Sequence, residues 1–131
     1  MKFFLDNNIS PRICRALREL EDREENEVVH LRDRFNANTT DEAWMRQLGA
    51  EGEWVIVMCD TSISTNPHEV KAWLESGLVV FFLKSGWLNL AYWDFAWQLI
   101  KKWPLMKKKV SKAARGKGYI VPLRGAAIDE L

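Results

Sequence analysis

Trp54-Val55-Ile56-Val57-Met58-Cys59-Asp60 is apolar at six successive positions and closes on an aspartate. An unbroken apolar run, without the alternation of a half-exposed strand, suits a strand covered on both faces. Leu78-Val79-Val80-Phe81-Phe82-Leu83 has the same character. Lys2-Phe3-Phe4-Leu5 is a shorter version that closes on Asp6, and Val28-Val29-His30-Leu31 supplies one more short strand. Doubly covered strands need helices on both sides, so the segments between them are expected to be helical.

Those segments carry helix signals. Ser10-Pro11 reads as an N-cap with proline in the first turn, and Ile13, Cys14, Leu17 and Leu20 follow at helical spacing. Glu21 to Glu27 is too charged for a core and reads as a helix end plus loop, and Arg32-Asp33-Arg34 after the second strand reads as a loop. Thr39-Thr40-Asp41-Glu42 opens another helix, with Thr39 and Glu42 at capping-box spacing. Trp44, Met45 and Leu48 give that helix its apolar face, and Gly49 is the expected stop. Asn66-Pro67-His68-Glu69 starts a helix that ends at Gly77.

Further on, Asn89 to Lys102 reads as a helix with Leu90, Trp93, Trp97 and Ile100 on one face. Tyr92 and Phe95 lie off that face, so the helix is apolar around its girth and a second covering surface, another subunit for instance, is expected. Pro104 should break it, with a further lysine-rich helix to about Ala114 and an edge strand at Tyr119-Ile120-Val121-Pro122. Strands alternating with helices predict an α/β fold with a mostly parallel, doubly wound sheet.

At 131 residues the chain suits one domain, and its seven tryptophans give it ample core material. Cys14 and Cys59 sit within apolar segments and are expected in the core, without a disulfide or metal. No apolar run approaches the roughly 20 residues that span a bilayer, and no signal pattern leads the chain, so no membrane association and a cytoplasmic setting are expected. Charge is divided unevenly. Residues 1–60 carry 13 acidic and 8 basic side chains, a balance of −5, whereas residues 61–131 carry 5 and 11, a balance of +6. The basic excess gathers at Lys101, Lys102, Lys107, Lys108, Lys109, Lys112, Arg115 and Lys117. Such a stripe beside an acidic pocket suits a polyanion held by its backbone; its plainer reading is a solvated face or a dock for an acidic partner.

The acids carry the chemistry. Asp6 and Asp60 end two strands, and Asp41-Glu42 opens a helix between them. In an α/β sheet the C-terminal strand ends form one ligand-facing edge, so these carboxylates should converge there. Converging carboxylates repel one another unless a positive charge joins them, and a hard divalent cation with oxygen ligands is the usual solution. Each acid also has a plainer explanation, Asp41 and Glu42 as helix-start residues and Asp6 and Asp60 as turn residues. His30 lies in a strand pattern and His68 in a helix start, so no histidine acid–base pair is indicated.

Phe3-Phe4-Leu5-Asp6-Asn7-Asn8-Ile9-Ser10-Pro11, Val28 to Phe35, Thr40-Asp41-Glu42-Ala43-Trp44 and Val57-Met58-Cys59-Asp60 come in the order of a PIN-like domain. The chain resembles the small bacterial and archaeal branch that includes VapC-type toxin-like proteins. The resemblance extends through Val80-Phe81-Phe82-Leu83, Gly86-Trp87 and Trp103-Pro104, and so covers about residues 1–105. It implies a single three-layer α/β/α domain over 1–131, with a core to about 105 and a basic extension over 106–131. It further implies a metal-dependent ribonuclease, the toxin of a toxin–antitoxin pair. By position, Asp6, Asp41 and Asp60 would be the catalytic acids holding Mg²⁺ or Mn²⁺, with Asp33, Glu42 and Asn7 as auxiliaries. RNA would contact Lys84, Lys101, Lys107, Lys108 and Lys109, and the Trp93/Trp97 helix would pair two copies or dock an antitoxin. Two departures stand out: Thr61-Ser62-Ile63 lacks the further acid often found after the Asp60 position, and Asn7 replaces an acid often found beside the first Asp. Fewer carboxylates weaken metal affinity, so a catalytically degenerate protein- or RNA-binding module is the alternative. A phosphoacceptor receiver domain fits poorly, because only one helix separates Asp60 from the strand before Lys84.

Overall fold

Among the described residues, six strands form one sheet in the order β2-β1-β3-β4-β5-β6. They are β1 (Lys2–Leu5), β2 (Glu27–His30), β3 (Trp54–Met58), β4 (Val79–Leu83), β5 (Gly118–Val121) and β6 (Asp129–Glu130). Every pairing is parallel except β5 with β6. The helices are α1 (Pro11–Leu20), α2 (Leu31–Arg34), α3 (Asp41–Glu51), α4 (Pro67–Ser76) and α5 (Tyr92–Val110), with a 3₁₀ turn at Ser85–Asn89. The computed structural model describes residues 1–59, 66–125 and 127–131, and Ser85 by its backbone alone.

Successive strand residues point to opposite faces, and two cores result. On one face Phe3, Leu5, Val28, Val55, Val57, Phe81 and Val121 meet α1 through Ile13, Cys14 and Leu17, and α5 through Phe95, Leu99, Trp103 and Met106. On the other, Phe4, Val29, Ile56, Met58, Val80 and Phe82 meet α3 through Trp44, Met45 and Leu48, and α4 through Trp73. This is the three-layer α/β/α arrangement with a mostly parallel sheet that the sequence predicts.

The helix assignments produce one topological surprise. The β1–α1–β2 connection steps one way across the sheet, and β2–α3–β3 and β3–α4–β4 step the other way with their helices on the opposite face. These three share one hand. β4–α5–β5 also steps the second way, yet α5 lies on the α1 face, so its hand is reversed. Parallel crossovers are right-handed in about 98% of cases. Coverage explains the exception: α3 and α4 already fill one face, whereas α1 alone would leave much of the other face wet.

Several local expectations shift. Pro104 lies inside α5 rather than ending it, and the lysine-rich stretch is the last part of the same helix. The buried stripe of α5 is Phe95, Leu99, Trp103 and Met106, while Trp93 and Trp97 are 81% and 57% exposed. The helix expected to stop at Gly49 runs to Glu51 and is capped by Gly52 at φ 81°. Gly49 serves instead as a contact point, since a Cβ there would stand 2.8 Å from Ser76 Cβ on α4. Its N-cap is Thr40, whose hydroxyl accepts from Ala43 N–H, one residue beyond the expected Thr39. Arg32-Asp33-Arg34 is a single helical turn, not a loop. Residues 106–131, expected as a basic extension, are integral to the domain: they supply β5 and β6, and place Met106, Tyr119, Val121 and Ile128 in the core. With β6 beyond it, β5 is not the edge strand.

Candidate functional site

Strand order reverses direction at β1, whose neighbours β2 and β3 follow from crossovers on opposite faces. Ligands of open α/β sheets bind at such a point, beyond the C-terminal strand ends. Asp6 is the first residue past β1, and its N–H still donates to Val57 O of β3 (3.1 Å), which fixes it between the two strands. The carboxylate-bearing residue is only 4% exposed. Its carbonyl accepts from Ile9 N–H (3.2 Å), closing a turn whose Ile9 side chain is buried in the α1-face core.

The end of β2 braces this turn. His30 is buried, with Nε2 2.7 Å from Ile9 O, and its Nδ1 accepts from Arg32 N–H (3.0 Å). Nδ1 therefore carries no proton and Nε2 donates to the Ile9 carbonyl, the neutral imidazole. Burial holds the His30 pKa below its ordinary value; the Ile9 carbonyl opposes that, the Arg32 charge reinforces it, and Asp33 and Arg18 act in opposite senses. Asp33 accepts from His30 N–H (2.9 Å) and from Arg18 (2.8 Å), so it caps α2 and pairs with an arginine. Arg32 Nε donates to Asn7 Oδ1 (2.7 Å), a second strut onto the Asp6 turn. Of the expected auxiliaries, Asn7 and Asp33 are thus engaged in holding the edge together.

Asp41 begins α3, and one of its oxygens accepts from Trp44 Nε1 (3.0 Å). The Trp44 ring packs 5.0 Å from that of Phe4, two residues before Asp6, which ties the helix start to the same edge. Glu42 is half-buried beside it. Cys59, the residue after β3 that follows Met58, is buried. Asp60 and the Thr61-Ser62-Ile63 segment lie outside the described residues. Among the described residues, no group of three or more His, Cys, Asp or Glu side chains stands close enough to hold a metal ion. The donors fit Mg²⁺ or Mn²⁺ in kind, as hard carboxylate oxygens at a ligand-facing edge, and in number only if Asp60 joins Asp6 and Asp41.

The lysines divide. Lys84 follows β4 at the acidic edge and is exposed. Lys101 lies along α5 with its Nζ 4.9 Å from the centre of the Trp97 ring. Lys107, Lys108 and Lys109 stand at the far end of α5, which runs antiparallel to the strands. Fifteen residues of helix place Lys107 about 22 Å below Tyr92. There Lys107 pairs with Glu21 (2.6 Å) at the end of α1, and Lys109 approaches Tyr119 of β5. The expected stripe therefore does not sit beside the acidic edge: Lys101 lies midway along α5, and Lys107, Lys108 and Lys109 lie in its last turn. Lys102 leaves the surface altogether, buried with Nζ donating to Gly125 O (2.7 Å).

Sequence reasoning missed the His30–Arg32–Asp33 brace. Its signal was present: His30-x-x-Asp33 has capping-box spacing, with histidine in the usual Ser or Thr place.

Residues 1–85 match the model of a family described as a PIN like domain, and the chain belongs to that family. Its members are generally nucleases. Neither the curated proteins nor the solved structures include a significant match to this chain. The matched residues stop just after β4, so α5, β5 and β6 lie beyond them. Among the described residues no helix is long and apolar enough to cross a membrane.

Proposed function

We propose that this protein is a metal-dependent ribonuclease that hydrolyses RNA phosphodiester bonds, acting as the toxin of a toxin–antitoxin pair. The observation that carries the reading is Asp6, a buried acid at the sheet's switch point in a chain whose family is generally one of nucleases. Asp6, Asp41 and Asp60 would hold Mg²⁺ or Mn²⁺, which when bound neutralises phosphate charge and makes a water easier to deprotonate. The chain's own part is placement. The His30 and Arg32 bonds keep the Asp6 turn from shifting, and Asp41 is steadied by the Trp44 indole. Lys84 at the same edge supplies a charge for a phosphate of the substrate.

One observation favours a second reading, a degenerate binding module. Asn7 stands where an acid is common and is bonded to Arg32, and Asp33 is paired with Arg18. The test is cleavage of labelled RNA with Mn²⁺ or Mg²⁺, with and without chelator. Metal-dependent hydrolysis that disappears in Asp6→Asn supports the enzyme; binding of RNA without hydrolysis by the parent protein supports the module. Recovery of a co-expressed small acidic protein in stable complex is the expected sign of an antitoxin.

A further inference from the structure

The outer face of α5 carries two parallel rows. Trp93 and Trp97 are one turn apart, and Asp94 and Gln98 run beside them with the same spacing. Together with Leu90, Leu123 and Arg124 they line an open cleft of about 610 Å³. Among the described residues nothing in the core accounts for the two rings, since the helix buries its opposite stripe. Tyr92 stands edge-on to Trp93 (5.9 Å), and Lys101 lies over Trp97.

We infer that this face binds single-stranded RNA, stacking bases on Trp93 and Trp97 and reading an amino-bearing base edge through Asp94 and Gln98. The inference rests on the ribonuclease reading and names the form of its substrate. Three features favour a nucleic acid over an apolar protein surface. First, cations flank the rings, with Lys101 on one and Arg124 across the cleft, and stacked bases bring phosphates that need such charges. Second, the row beside the rings is polar and directional. A carboxylate only accepts hydrogen bonds, so Asp94 selects bases with an exocyclic amino group, whereas the Gln98 amide tolerates any edge. Asp94 also suits the helix start, where its charge is favoured. Third, the cleft leads to the acidic edge. Leu90 lines it and also lines a second cleft with Asn8, Ser10, Leu88 and Tyr92, directly after the Asp6 turn. A strand stacked on α5 thus continues towards Asp6.

The test uses the full chain in chelator, so that binding is read without cleavage. Fluorescence anisotropy of short labelled oligo(C) and oligo(U) RNAs should show salt-sensitive binding with oligo(C) preferred. Trp93→Ala/Trp97→Ala should weaken it at least about tenfold, the Trp93→Phe/Trp97→Phe pair should restore most of it, and Asp94→Ala should narrow the preference for oligo(C). Unchanged affinity in the alanine pair overturns the inference. So does a parent dimer, seen by sedimentation, that becomes monomeric in the alanine pair, because the rings would then cover a second copy. Hydrolysis of bis(p-nitrophenyl) phosphate with Mn²⁺ reports the acidic edge alone. Its absence in the parent sinks the nuclease reading and leaves the binding result to be judged separately.

Discussion

The two edges of the sheet put their charged side chains to different uses. At the N-terminal edge, Glu21 is surrounded by donors: Lys107, Trp103 Nε1 and Asn26 all reach its oxygens and tie the end of α1 to α5. Burial works to raise its pKa, but the Lys107 and Asn26 bonds overcome that and hold it below the usual carboxylate value. At the C-terminal edge Arg32 donates to Asn7 and Arg18 to Asp33, bonds that steady the turn that carries Asp6 and the start of α2. One edge uses a carboxylate as a clamp. The other uses His30 and Arg32 to brace the turn that carries Asp6.

The largest effect expected from this contrast is on chemistry. Asp6→Asn keeps the side chain's shape and should reduce hydrolysis by more than about 100-fold, beyond what loss of a supporting group costs. Retained hydrolysis would make Asp6 a structural acid like Glu21 and erase the distinction. At the other edge, Lys107→Met leaves Glu21 with only neutral donors and should cost about 2 kcal/mol in urea unfolding. RNA cleavage by the folded fraction should be unchanged. Loss of cleavage without loss of stability would mean that the lysine end of α5 serves the reaction.

The same contrast separates the edges by pH. His30 has a folded pKa below its unfolded value, so it contributes stability that is complete above about 6.5 and is lost as pH falls through the folded pKa. Glu21 is likewise depressed, and its contribution is complete only above about 4.5, then lost in more acidic solution. Stability measured by urea midpoint should therefore fall in two steps, the Asp6 brace first and the Glu21 clamp second. His30→Gln should remove the upper step, and Glu21→Gln the lower; a single step that neither change moves would break the assignment. The smallest effect is expected from Trp103→Phe, which keeps an aromatic ring beside Phe3 and deletes one bond to Glu21, at about 1 kcal/mol.

Much of the layout was legible because its signals are local. Ser10-Pro11 and Asn66-Pro67 start helices where the capping chemistry says they should. The runs Lys2–Leu5, Trp54–Met58 and Val79–Leu83 are strands because nothing polar interrupts them. The position of Asp6 past a strand end was equally readable, since strand polarity follows once the strands are parallel. α5 defeated the same approach. Leu90, Trp93, Trp97 and Ile100 satisfy helical spacing as well as Phe95, Leu99, Trp103 and Met106 do. Periodicity cannot choose between two apolar stripes on one helix. Pro104 misled for a related reason, because a proline kinks or breaks a helix by its local bonds, whereas here packing on both sides of it keeps the rod intact.

The sequence by itself determined the parallel sheet, the two-sided core and the acid placed just past β1, because each follows from unbroken apolar runs and the chemistry of helix starts. Only the tertiary structure decided which face α5 covers, which of its tryptophans meet solvent, and that its lysines do not sit beside the acidic edge. These depend on which surface remains uncovered after α1, α3 and α4 have packed, a property of the whole assembly of layers that no single segment encodes.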